Sequence, residues 1–275
     1  MLDDHSKEEE LWGQLHRLVE LPVVPQFSRE FYGLIVEWAV QAESPDPGEW
    51  ALRLLDTEVR YYQRLIHLEE GETPPPSLLE KRQIALEVLS EAVQTALAPT
   101  DRAGEMARRL ILAECCYFLE RSAEVVAHLE HALETGGNDP LLSFALGHAR
   151  FLLALRSFIH LQVPGAELVV SDQSALQSLC LAAVHAFEGA LTGGPRDAEI
   201  RWWIGRVLLT AGFTEQAQEI LAQVEAPDGY VEEPPPGSER AQRESAAGAI
   251  PPIDEAELAS FTEGVQRSHP LSHLL

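Results

Sequence analysis

The side chains best placed to hold an ion are His128 and His131, three residues apart with Glu124 and Glu134 nearby. On a helix that spacing sets two imidazoles beside one another, and a borderline-soft cation takes such ligands. A structural site needs four ligands, and no fourth is evident, so exposed polar helix residues are the plainer reading. No His-Glu-x-x-His occurs, and no Glu stands three residues before any His, so the inward-facing Glu-x-x-His of di-iron bundles is missing. Cys115, Cys116 and Cys180 are an odd number on apolar segments, which reads as buried thiols in a reducing compartment. Neighbours on a helix point to different sides, which disfavours a Cys115–Cys116 disulfide. Cys180 and His185 are five apart with no orienting acid implied, so no dyad follows. Gly136-Gly137 and Gly193-Gly194 lack a following Gly-Lys-Ser/Thr and read as helix stops. No Gly-x-Ser-x-Gly occurs. These absences point away from an enzyme, and no cofactor is expected.

The elements around these residues are helical. Ala183, Phe187, Ala190 and Leu191 share one face at helical spacing. Gly193, Gly194 and Pro195 stop that helix, and Asp197 is expected to cap the next. Ile200, Ile204, Val207, Leu208 and Ala211 make a second stripe, ended by Gly212. Thr214 is then expected to cap a third helix with Ala217, Ile220, Leu221 and Val224. Amphipathic helices joined by short turns pack antiparallel on their sequence neighbours.

This pattern resembles the tetratricopeptide repeat, a helix pair of about 34 residues. Ala183, Phe187, Ala190-Leu191 and Pro195 match the second-helix half. Ile204-Gly205, Leu208, Gly212 and Ala217 match the next copy, with Arg201 at the usual Trp place, Trp202 beside it, and Leu221 for the Phe. A weaker copy runs from Met106 to Gly137, with Leu112-Ala113, Cys116, Leu129 and Ala132-Leu133 in place. Leu146-Gly147 opens a middle copy whose second helix arrives late, which implies an insertion near 156–178. The resemblance implies an all-α fold, with antiparallel hairpins stacked as an α-solenoid over 101–226. It also implies a concave partner-binding groove lined by the first helix of each copy: Glu114 and Tyr117, then Phe144, His148 and Phe151, then Trp202, Arg206 and Leu209. The Lys and Asn residues with which chaperone-binding members clamp a terminal carboxylate are not at these places.

Residues 1–100 read as an N-terminal helical region, a degenerate repeat or a cap. Ser28 and the capping box Ser77-Leu78-Leu79-Glu80 are expected helix starts. Residues 227–275 read as a disordered linker with Pro234-Pro235-Pro236, followed by a short C-terminal helix carrying Leu258, Phe261 and Val265. The 275 residues are 45% hydrophobic, enough for a core. Acidic residues number 44 against 20 basic, a net charge of −24. A polyanion of this kind repels nucleic acid. The acidic start lacks the pattern of a secretory signal, and no stretch reaches 18 apolar residues, so neither export nor membrane insertion is expected. The expectation is a cytoplasmic, non-catalytic scaffold or adaptor that binds a basic or amphipathic protein segment. A dedicated chaperone is the second reading of that class. A metal-binding helical-bundle enzyme is the alternative from another class. Oligomeric state is open.

Overall fold

The computed structural model describes residues 2–67, 75–162 and 167–224. Ten helices make up nearly all of these residues: α1 (Leu2–Val19), α2 (Gln26–Gln41), α3 (Asp46–Leu65), α4 (Pro76–Thr95), α5 (Arg102–Phe118), α6 (Ser122–Gly136), α7 (Pro140–Phe158), α8 (Gln173–Gly189), α9 (Asp197–Ala211) and α10 (Thr214–Leu221). Between α7 and α8 lies an antiparallel pair, β1 (Ile159–Gln162) and β2 (Glu167–Val170), with Ile159 opposite Val170. The expected linker and terminal helix of 227–275 lie outside the described residues.

Short polar residues and glycines set many of the boundaries. Asp101 accepts from the Gly104 N–H, Asp139 from those of Leu141 and Leu142, and Asp172 from that of Ala175. Each satisfies amide donors that the first helical turn leaves open. Gly212 ends α9 at φ 88°, a left-handed conformation that costs a residue with a Cβ. Four expected caps act otherwise; Thr214 is the first residue of α10, whose cap position is Phe213. Ser28 and Ser77 lie inside the first turns of α2 and α4, whose cap positions are Pro25 and Pro75. Asp197 is the first residue of α9, and its carboxylate accepts from the amides of Thr192, Gly193 and Gly194. It therefore holds the preceding turn closed.

From α5 to α10 each helix packs against the next in sequence. Glycine permits two of the tightest contacts. A Cβ on Gly147 would stand 2.7 Å from Phe187 Cδ1, and one on Gly205 would stand 2.6 Å from Leu221 Cγ. The segment 156–178 holds the last turn of α7, the β-pair and the start of α8. The middle helix pair thus meets again beyond it, at Gly147 and Phe187.

The N-terminal helices do not simply extend this series. α3 packs on α1, α2, α4 and α5, and α2 also packs on α5. One continuous core joins all of these helices. α7 has the length and mean hydropathy, 1.2, of a membrane-crossing helix, but 61% of that window is buried among the other helices. It is the only described helix that meets those criteria.

Candidate functional site

A buried group of ionisable side chains lies where α2, α3, α4 and α5 meet. Glu58 sits on the apolar stripe of α3, one turn after Leu54 and one before Tyr62. Arg82 sits on that of α4, one turn before Leu86. The two face each other. Arg82 Nε donates to Glu58 Oε1 at 3.0 Å and its Nη2 donates to Glu58 Oε2. The guanidinium lies between two rings, 4.1 Å from the centroid of Tyr61 and 3.7 Å from that of Phe118. The Glu58 and Arg82 side chains are 0% and 4% exposed. A two-pronged ion pair between aromatic faces is the geometry in which a buried arginine is best compensated.

Glu114 on α5 completes the group. Tyr32 of α2 donates to its Oε1 at 2.6 Å. Burial pushes the Glu114 carboxyl up to about 8; the Tyr32 hydrogen bond and Arg82 oppose this, while Glu58 adds to it. At neutral pH the group therefore carries its proton. Glu114 Oε2 and the Tyr62 hydroxyl have no hydrogen-bond partner among the described residues. Burial also pushes the phenols of Tyr32 and Tyr62 up. An acid poised near neutrality could donate a proton, but Glu114, Tyr32 and Glu58 are all sealed from solvent. The arrangement is a brace between four helices.

The eight groove residues read from the sequence fall differently. Glu114, Tyr117, Phe144, His148, Phe151 and Trp202 are buried, while Arg206 and Leu209 are half-buried. Two of the eight, Glu114 and Phe144, meet the chain's own α2. Tyr32 reaches Glu114 of α5, and the Phe27 ring meets Phe144 of α7 at 5.5 Å. At the same end Glu30 of α2 accepts from Arg196 at 2.7 Å through both oxygens. Beyond the Phe27–Phe144 contact the rings interlock. His148 stands edge-on to Phe144 at 4.6 Å, Phe187 at 4.9 Å and Trp203 at 4.3 Å. Trp202 packs on Trp203 at 4.9 Å, and the Arg206 guanidinium lies over the Trp202 ring at 5.7 Å. These rings form a joint between α2, α7, α8 and α9.

The two candidate metal ligands separate. His131 pairs with Glu105 at 3.4 Å and lies near Glu134. His128 instead faces Glu124 of its own helix and Cys116 of α5, with one ligand atom of each within 4.8 Å of the others. Cys116 Sγ is 3.7 Å from Glu124 Oε2. Arg109 Nη1 is 3.4 Å from His128 Nδ1. Burial, with Arg109 beside it, lowers the His128 pKa, and burial pushes the Cys116 thiol up to about 12. The hollow lined by Tyr117, Ser122, Val125, Ala149 and Leu152 holds about 10 Å³, at the lower limit for one water.

Glu58, Arg82 and Tyr32 were missed in reading the sequence. The signal was present: one acid and one base interrupt otherwise apolar stripes on successive helices. No family model, no curated protein and no solved structure matches the chain.

Proposed function

We propose that this chain is a non-catalytic protein–protein interaction scaffold, built as a tetratricopeptide-like α-solenoid whose inner face its own α2 meets at Glu114 and Phe144. Gly147 under Phe187 and Gly205 under Leu221 support the repeat reading, because small first-helix residues there admit a large second-helix residue. The sealed Glu58–Arg82–Glu114 group supports a structural role for these buried ionisable residues.

The observation that carries the reading is α4, which is apolar on two sides. Leu78, Leu86, Leu89 and Val93 are buried, yet Ile84 and Val88 on the opposite side are 54% and 60% exposed. A helix apolar on both sides is ordinarily covered on both. Exposed Glu80, Glu87 and Glu91 border this stripe, with Lys81 of α4 and Arg121, 3.5 Å from Glu87, as the neighbouring cations. A second copy of the chain would meet like charge there. The surface suits an amphipathic helix with basic flanks, bound in the cytoplasm with strong salt dependence.

The probe is a basic amphipathic model helix, followed by fluorescence anisotropy at low and high salt. The wild type binds it saturably and more weakly in salt, and replacing both Ile84 and Val88 with Asp abolishes binding. Simple charge attraction would instead strengthen in the more acidic variant, and that result would overturn the assignment of the α4 surface.

A further inference from the structure

We infer that Cys116, Glu124 and His128 form a binding site for a single divalent transition-metal ion of the zinc class, bridging α5 and α6. Thiolate, imidazole and carboxylate are the three ligand types such an ion takes together. Glu124 and His128 are four apart on α6 and share one face, as a helical pair of ligands must. Cys116 comes from the partner helix, and its sulfur already lies 3.7 Å from Glu124 Oε2. One ligand atom from each of the three residues lies within 4.8 Å of the others. Tetrahedral coordination needs separations of roughly 3.3–3.7 Å, given metal–ligand bonds of about 2.0–2.3 Å. Glu124 is exposed and His128 half-buried, so the residual closure of about 1 Å falls on side chains that can turn.

Three arginines act on the cluster, and each has an acidic partner; Arg108 lies 3.6 Å from Glu105. Arg109, beside His128, donates from Nε to Glu105 at 2.6 Å. Arg121 lies 3.5 Å from Glu87. Arg109 can therefore leave His128 Nδ1 and keep an ion pair. The bound ion, with one thiolate and one carboxylate, makes the site neutral and leaves the fourth position to water. It pins α6 to α5, independently of whether α4 binds a partner.

The test uses the full chain, stripped with a chelator and titrated with Zn²⁺ against a chromophoric competitor, and in parallel with Co²⁺. One saturable zinc site is expected, and cobalt should give a near-ultraviolet thiolate charge-transfer band. C116S should remove that band. H128A and E124Q, which change accessible side chains, should each weaken zinc by more than about tenfold. H131A should bind as the wild type does, since His131 pairs elsewhere. Zinc binding that C116S and H128A leave unchanged, cobalt binding without the band, or only non-saturable uptake would each overturn the site. Because H128A and E124Q probe the site from α6, a C116S variant that misfolds would not shelter the proposal.

Discussion

Two joints hold this chain together, and they use opposite chemistry. At the α2–α5 end a full ion pair and a protonated acid are buried together: Arg82 with Glu58, and Tyr32 with Glu114. At the α7–α9 end the contacts are rings and glycines: His148 among Phe144, Phe187 and Trp203, with Gly147 pressed under Phe187. Aromatic packing tolerates small adjustments, whereas a buried charge tolerates none, because losing its partner leaves it unsolvated. The charged joint thus fixes how α3 and α4 meet α5, and the aromatic joint supplies area. α2 touches both, through Tyr32 at one and Phe27 at the other.

The difference predicts a ranking of losses. R82A should cost most, about 3–5 kcal/mol in denaturant unfolding, because Glu58 is left buried and unpaired. Replacing Arg82 and Glu58 together with Met and Leu should recover most of that loss; if the double variant is as unstable as R82A, the cost lies in packing and the contrast between joints fails. W202A should cost about 3 kcal/mol, as a truncated core aromatic does, and should act on folding before any partner is added. A W202A protein with unchanged melting would mean that the ring is not part of the joint. G147A should cost about 1–3 kcal/mol through overpacking against Phe187. F187L, measured in the same background, should relieve part of it.

Helix type and order were readable because apolar residues recur at helical spacing with glycine and proline between them. Gly212 ends α9 and Ala183 shares a face with Phe187, as the spacing requires. The caps at Ser28, Ser77 and Asp197 went astray because prolines and a closed turn competed for the same positions. The burial of most of the expected groove residues was not legible for a larger reason. Periodicity reports that Phe144 and Trp202 lie on a face, but it does not report what covers the face. Phe27 of α2, which meets the Phe144 ring, is more than a hundred residues away in sequence. Glu58 and Arg82 hid for the converse reason. Each looks like a surface charge in its own helix and becomes a core residue only when the two helices meet. The outward turn of Ile84 and Val88 follows, since Arg82 claims the inner face of α4.

The central claim is that α2 seals Glu114 beneath it as a neutral acid. Its most direct test is stability against pH for the wild type and E114Q. Glu114 titrates at about 8 when folded and near 4.5 when unfolded. The folded state therefore binds a proton that the unfolded state has released between those values. Its favourable contribution is complete below about pH 4.5 and declines by about 1.4 kcal/mol per pH unit until about pH 8. The wild type should thus lose stability relative to E114Q across that interval, and the difference should level off above it. Parallel curves from pH 4.5 to 8 would contradict the account, since they would mean that Glu114 ionises as it does in water and that α2 does not cover it.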